Sequence, residues 1–149
     1  MFRVIIVIVI VTAIVVGVLY AIPLSQDRLG IEHDILKLIN EERESRGLAL
    51  ITWSEELHEG ARSHSELLAE KGTVFHATGS FSECIYYDSH SILFFRIPSY
   101  PNAKTVVQSW MDSYDHRSIL LDKRSRYGAV GIAKGSFGTG GGYATYRCR

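Results

Sequence analysis

The chain has 149 residues, of which 46% are hydrophobic, and it carries 16 acidic and 16 basic residues for a formal net charge of zero. This length suits one domain with a sizeable core. The basic residues are dispersed along the chain, which argues against a nucleic-acid surface, and no nucleic-acid partner is expected.

The N-terminal segment 4–22 is almost wholly apolar. About 19 residues at 1.5 Å each are enough to cross the roughly 30 Å core of a bilayer as a helix. Arg3 precedes this segment, so the positive-inside tendency places residues 1–3 in the cytoplasm and the rest of the chain outside it. We expect a single-pass signal-anchor at 4–22 and a polar linker at 23–30. The alternative is a cleaved signal peptide and a secreted protein, although Leu19 and Ala21 form a poor cleavage site.

Helices are predicted next. Residues 31–46 carry an apolar stripe at helical spacing, and Gly47 follows as a stop signal. A second helix begins after Ser54, a typical N-cap, and ends at Gly72. A third helix is predicted over 103–114, with its apolar face in the core.

A final short helix, which Asp115 is placed to cap, ends at Leu121. Four segments have strand character: 85–87 and 91–95 before the third helix, and 127–133 and 143–148 after the final one. The last two form an antiparallel hairpin around the glycine-rich loop 135–142. Helices followed by paired strands indicate an α+β fold in which helices cover an antiparallel sheet.

Two histidines and a carboxylate form the candidate site. His76 and Glu83 lie on a short irregular segment with Gly79 at its bend, and His116 follows the third helix. Two imidazoles and a carboxylate have the composition of many catalytic zinc sites. We therefore consider a shared site for Zn²⁺ or another divalent metal, or for a polar ligand held by hydrogen bonds. Scattered surface residues are the alternative, since no His-Glu-x-x-His helix is present.

The other histidines are assigned structural positions. His64 lies on the apolar stripe of the second helix, where a packed and hydrogen-bonded core residue is expected. His33, His58 and His90 have no identifiable partner in the sequence and are expected to face solvent.

Cys84 and Cys148 are the two cysteines of the chain. Outside the cytoplasm such a pair indicates a disulfide, which here would stabilise the fold by on the order of 4 kcal/mol. Two free thiols, or Cys84 as a metal ligand beside Glu83, are the alternatives. In an extended segment Cys84 and Glu83 would point to opposite faces, which favours the disulfide over ligation.

A series of segments has the order and spacing of one known family. They are Leu38–Arg43, Leu50–Leu57, Ala61–Ala69, Phe75–His76, Ser82–Ile85, Val106–Ser113, Asp115–Leu120, Tyr127–Ala133 and Gly142–Thr145. Together they resemble the CAP superfamily (cysteine-rich secretory proteins, antigen 5 and pathogenesis-related proteins; also called SCP domains) in its bacterial or archaeal type. The first segment carries the family's Asn-x-x-Arg pattern, and Ser82-Glu83-Cys84 replaces its Gly-Glu-Asn.

The resemblance implies a three-layer α-β-α sandwich with a central antiparallel sheet over residues 31–149. It also implies a cavity lined by two histidines and, in many members, two glutamates, which holds a divalent metal in some of them. His76, Glu83 and His116 match three of these positions. The second glutamate would fall near Ser113, and Asp112 is adjacent, so both are candidate cavity residues.

Family members bind sterols, lipids, metals or proteins. Together with the predicted anchor at 4–22, the resemblance implies a membrane-anchored extracytoplasmic module that binds an unidentified small molecule, lipid or protein. The alternative is a metal-dependent, peptidase-like hydrolase in which His76, Glu83 and His116 bind zinc and Glu83 is the candidate catalytic residue. A structural domain with a vestigial cavity is a third interpretation. The missing second carboxylate favours binding over catalysis.

Overall fold

The computed structural model describes residues 28–89, 91–92, 95–96, 98–136 and 140–149. The helices in these ranges are α1 (28–44), α2 (Glu55–Lys71), α3 (Ala103–Asp112) and α4 (Tyr114–Leu120). The strands are β1 (Thr52–Trp53), β2 (Ser82–Asp88), β3 (Ser91–Ile92), β4 (Phe95–Arg96), β5 (Tyr127–Lys134) and β6 (Gly142–Cys148). The predicted α+β class is confirmed.

The predicted membrane anchor at 4–22 lies outside the described residues. Within those residues, no helix is both long and apolar enough to cross a membrane. Residue 28, where the described part of α1 starts, is already helical, so the helix includes at least three residues before its predicted start at residue 31.

The main sheet has the strand order β1-β5-β6-β2. β6 pairs antiparallel with both of its neighbours, as the predicted hairpin requires. β1 instead pairs parallel with β5, with Thr52 opposite Tyr127 and Trp53 opposite Gly128. The prediction of a purely antiparallel sheet is therefore wrong at this edge. The long crossover that a parallel pair needs is supplied here by the chain between β1 and β5, which contains α2, α3 and α4.

Helices cover both faces of the sheet. One cluster of buried residues joins Val130 and Ile132 of β5 to side chains of α1, α3 and α4, including the fully buried Trp110. A second cluster joins the opposite face to Leu68 and Ala69 of α2. Successive strand residues point to opposite faces, so each face supplies its own hydrophobic layer.

The ends of α2 are those that the sequence predicts. The Ser54 side chain accepts a hydrogen bond from the Leu57 amide, and Gly72 adopts the left-handed conformation at φ 63°. The third helix ends earlier than expected. Ser113 has extended backbone (φ −87°, ψ 125°) and separates α3 from α4, so Asp115 lies in the first turn of α4 and is not its cap.

Arg43 joins α1 to the segment after α4. Its side chain is fully buried. Its guanidinium donates to the backbone carbonyls of Ala49 at 2.8 Å, Leu120 at 2.6 Å, Asp122 at 3.1 Å and Ser125 at 3.3 Å. The arginine of the Asn-x-x-Arg pattern therefore has a structural role.

Asn40, the first residue of that pattern, holds the backbone of Ile51. Its Oδ1 accepts from the Ile51 amide at 2.8 Å, and its Nδ2 donates to the Ile51 carbonyl at 3.0 Å. Asn40 therefore ties α1 to the residue that directly precedes β1.

Candidate functional site

Glu83 lies on the regular strand β2, and not on an irregular segment as the sequence suggested. It is directly opposite Arg147 of β6, whereas its neighbour Cys84 is opposite Tyr146. Glu83 thus faces the α2 layer and Cys84 the other hydrophobic cluster, as the alternation along an extended segment predicts.

The Glu83 carboxylate is buried and has partners on both oxygens. Arg147 Nε donates to Oε1 at 2.9 Å, and the Ala77 amide donates to Oε2 at 3.0 Å. His76 Nδ1 lies 3.0 Å from the same Oε2. Because an ionised carboxylate only accepts hydrogen bonds, His76 carries a proton on Nδ1. Its side chain is 61% exposed, and Nε2 is the ring nitrogen left to meet a ligand.

His116 lies on α4 and is half-buried. Burial lowers the pKa of His116 below its ordinary value, the positive charge of a protonated His76 lowers it further, and Asp115 acts in the opposite direction. His116 also lies beside β2, because Cys84 Sγ donates to its backbone carbonyl at 3.7 Å. The structure therefore joins His76 to Glu83 directly and places the backbone of His116 against Cys84, the next residue of the same strand.

The three residues do not form a three-ligand metal centre. Among the described residues, no group of three His, Cys, Asp or Glu side chains is arranged to hold a metal ion. The Glu83 carboxylate is bonded to Arg147 and to the Ala77 amide, and it contacts His76 at Nδ1, the ring nitrogen that would not face a ligand. A carboxylate in that place orients a histidine and does not ligate beside it. The donor set does not fit the zinc site predicted from the sequence.

Arg147 is the site residue that the sequence analysis missed. The strand period offered a signal, because Arg147 follows Tyr143 and Thr145 at steps of two residues and therefore shares their face. An arginine on the face of a strand covered by a helix needs a buried partner, and Glu83 is that partner.

The profile of the Cysteine-rich secretory protein family, CAP, matches residues 36–147, well over half of the chain. The chain belongs to the CAP family. A search of curated proteins by sequence gives no match.

Solved structures similar to this CAP domain include bacterial proteins. An outer surface protein from Borrelia burgdorferi aligns with a TM-score of 0.57 and 15% identity, over 76% of this chain and 88% of that protein. A cysteine-rich secretory protein from Staphylococcus aureus aligns with a TM-score of 0.51 and 15% identity, over 81% of this chain and 38% of the staphylococcal chain. The protein MpPR-1i aligns with a TM-score of 0.50 and 16% identity, over 78% and 82%. At these identities the likeness supports the fold alone.

Two further cavity candidates lie apart from the hydrogen bonds of this site. Asp112 is exposed and accepts from Gln108 Nε2 at 2.9 Å, in a shallow depression on the outer side of α3. Ser113 is the joint between α3 and α4. Across the described ranges, neither is recorded in a hydrogen bond to His76, Glu83 or His116.

His64 is a packed core histidine, as predicted. Its Nε2 lies 2.9 Å from the Phe75 carbonyl and therefore carries a proton, and its ring meets the Phe75 ring edge-on. The same nitrogen is 3.7 Å from Glu83 Oε2. His64 thus packs against the Glu83 carboxylate and anchors the segment that leads to His76.

The prediction for His58 is wrong. Its ring is buried, with Nε2 2.9 Å from Glu32 Oε2 and Nδ1 3.3 Å from Glu55 Oε2. Glu32 comes from α1, so no local pattern around His58 reveals this partner. His33 is exposed, as predicted, and His90 lies outside the described residues.

The predicted disulfide is absent, because Cys84 and Cys148 are both free and buried. Cys148 lies opposite Ser82, two residues along from the partner of Cys84. Such diagonal neighbours have Cα atoms about 7–8 Å apart, beyond the usual 4.4–6.8 Å of a disulfide. Burial also raises the pKa of both thiols, which opposes the thiolate form that binds metals.

Proposed function

We propose that this CAP protein is a membrane-anchored, extracytoplasmic binding or interaction module whose ligand meets the cleft of His76 and His116. The observation that supports binding over catalysis is the state of Glu83. Its carboxylate is buried and already bonded to Arg147, the Ala77 amide and His76. A hydrolase of the predicted type needs this group as a zinc ligand or base, whereas binding by the imidazoles needs neither.

The ligand is a small molecule, a lipid or a protein with a polar group that hydrogen-bonds to imidazole. An exposed apolar side chain lies two residues before each histidine in the sequence. Val74, before His76, is 49% exposed, and Tyr114, before His116, is 76% exposed. An apolar part of the ligand would find contacts there. If the ligand is Zn²⁺ or another divalent ion, His76 and His116 are its two protein ligands. Its other coordination positions are then filled by groups from outside the chain.

Titration of the full chain with Zn²⁺, followed by NMR of the histidine side chains, tests the metal part of the proposal. The expected result is that the His76 and His116 signals respond together and that a His76→Ala/His116→Ala variant loses this binding. His33→Ala is the matched control, because His33 is an exposed histidine of α1. Equal zinc binding by the double variant would remove the metal from this site.

A hydrolase is the second candidate function, and one contact favours it. Glu83 holds His76 through Nδ1 and directs Nε2 outward, which is the relation of the carboxylate to the histidine in a Ser-His-Asp triad. A panel of peptides and esters tests this candidate. Hydrolysis that is lost in His76→Ala and kept in His33→Ala would replace the binding proposal, whereas hydrolysis that persists in both variants arises elsewhere.

The anchor is the remaining part of the proposal. It is supported by the length and apolarity of segment 4–22 and by Arg3 before it. Full-length protein should stay with the membrane pellet after alkaline extraction, and its CAP domain should be open to protease added outside intact cells. Release of a shortened, soluble product would favour the cleaved signal peptide.

A further inference from the structure

We propose that Arg147 is the positioning residue of the His76–His116 cleft, because it holds Glu83 in the orientation that makes His76 present Nε2 to a ligand. The inference rests on the proposed function only for the identity of the cleft. Its structural content is a chain of contacts from β6 through β2 to the exposed ring of His76.

The first contact is the pair Arg147–Glu83. The two residues are directly opposite on neighbouring strands, and Arg147 Nε donates to Glu83 Oε1 at 2.9 Å. Their side chains are only 9% and 4% exposed. A buried carboxylate without a counter-charge is strongly unfavourable, so Arg147 is what allows Glu83 to remain an ionised acceptor in this place.

Arg147 is itself held in a fixed position. Its guanidinium carbon lies 4.2 Å from the centre of the Phe81 ring, within the range of a cation–π contact. A Cβ at Gly60 would lie 2.5 Å from Arg147 Nη1, so α2 also contacts the guanidinium. Glycine is unfavourable inside a helix, and at this position of α2 it leaves the space that the guanidinium occupies.

Glu83 transmits this position to His76. With Oε1 on Arg147, the second oxygen accepts from the Ala77 amide and from His76 Nδ1, each at 3.0 Å. His64 packs against the same oxygen at 3.7 Å while its own proton goes to the Phe75 carbonyl. The carboxylate therefore has one orientation, and the neutral His76 ring has one tautomer, with the lone pair on Nε2 directed away from Glu83.

This arrangement determines which ligand groups fit. A neutral His76 accepts a hydrogen bond at Nε2 from a hydroxyl or ammonium group, and it offers the same lone pair to a cation. Without Arg147, the Glu83 carboxylate loses its counter-charge and its fixed orientation, so both tautomers of His76 become accessible.

Two-bond ¹H–¹⁵N correlation spectra of the full chain, recorded without ligand at mildly alkaline pH, report the tautomer of each histidine directly. We expect His76 of the unmodified protein to be in the Nδ1–H form. Arg147→Gln should give a mixture of the two tautomers, and Arg147→Lys should restore part of the preference, because it returns the charge without the planar donor group. A His76 tautomer that is unchanged in Arg147→Gln would overturn the proposal.

Arg149→Gln is the matched control, since Arg149 directly follows β6 and pairs with Glu56 on the surface. This variant should leave the His76 tautomer as it is, and an equal effect in both variants would overturn the proposal. If Arg147→Gln does not fold, Gly60→Ala displaces the guanidinium without removing its charge and should shift the tautomer in the same direction. No shift in Gly60→Ala would then count against the role of Arg147.

The tautomer is measured in the absence of ligand, so this result does not depend on whether the cleft binds anything. Zinc titration of the same samples separates the two questions. A fixed tautomer together with no zinc binding would contradict only the metal part of the proposed function, whereas zinc binding that survives a mixed tautomer would contradict the link from Arg147 to ligand recognition.

Discussion

Arg43 and Glu83 are both buried charges, but they are stabilised in different ways. Glu83 has the counter-charge of Arg147. Arg43 donates to four backbone carbonyls, from Ala49, Leu120, Asp122 and Ser125. A guanidinium has five N–H donors in a fixed plane and is less strongly hydrated than an ammonium, so it can satisfy several carbonyls at once.

Replacing Arg43 by methionine should destabilise the domain strongly. The change leaves buried carbonyls without donors, and each unsatisfied group costs about 1–3 kcal/mol. We expect the free energy of unfolding in urea to fall by about 3 kcal/mol or more, at the upper end of what single substitutions cost, because a buried network is broken. Arg46→Met is the control, because Arg46 is exposed and its pairing with Glu42 is worth less than about 1 kcal/mol. Similar losses in both variants would contradict the structural role of Arg43.

His116 makes stability depend on pH in a defined direction. Its folded-state pKa is lowered, by burial first and by the charge of His76 second. As the pH falls through about 6.5, the unfolded chain takes up a proton that the folded state binds less readily, so stability is lost towards acid pH. Melting temperatures of the unmodified protein and His116→Gln should therefore diverge, with a smaller acid loss in the variant. Parallel curves would show that His116 contributes nothing to this dependence.

Sequence patterns placed correctly those residues whose environment follows from their own helix or strand. His64 was placed in the core by its position on one helical face. The partners of His58 and Arg147 could not be found in this way, since Glu32 is 26 residues from His58 and Glu83 is 64 residues from Arg147. Such pairs depend on how the strands and helices assemble, and periodicity within one segment does not contain that information.

At the scale of elements, α2 packs very closely on β5. A Cβ at Gly131 of β5 would lie 2.1 Å from the Arg62 backbone nitrogen and 2.4 Å from the Ala61 carbonyl carbon. Ser65 of α2 also donates to the Gly131 carbonyl at 2.8 Å. The helix therefore lies directly on the backbone of the strand, and this contact fixes the α2 layer that carries Gly60 and His64.

Gly131→Ala should separate α2 from the sheet. Overpacking of this kind typically costs about 1–3 kcal/mol, and because the atoms in the way are backbone atoms of α2, this position lies at or above the upper end. Gly30→Ala is the matched control, because a Cβ at Gly30 has no atom within 4 Å, and alanine is favoured in a helix. Urea unfolding should show a loss for Gly131→Ala and no loss for Gly30→Ala. Equal stability of the two variants would contradict the close packing described here.

The prediction of helices and strands succeeded where a segment was long, had a regular apolar spacing and had clear signals at its ends. Ser54 and Gly72 marked the ends of α2 because a cap and a left-handed glycine act locally. β1 was missed because a two-residue strand has no period to detect. Its parallel pairing with β5 was missed for a second reason, since strand direction depends on the path of the intervening chain.

At the scale of the whole molecule, the two thiols report on opening of the fold. Cys84 and Cys148 are fully buried and free. Burial also raises the pKa of both groups, which lowers the fraction of reactive thiolate. A disulfide reagent such as Ellman's reagent should find no reactive thiol in the native protein and two after unfolding, with the labelling rate set by opening of the domain. A count of zero in denaturant would show that the cysteines are paired.

β6 is the last strand along the described chain, but in the sheet it lies between β5 and β2. Until its residues are available, β2 and β5 have no common partner and Glu83 has no Arg147. β6 also supplies side chains to both hydrophobic clusters. Completion of the sheet, of both hydrophobic layers and of the Glu83–Arg147 pair therefore has to wait for this one strand.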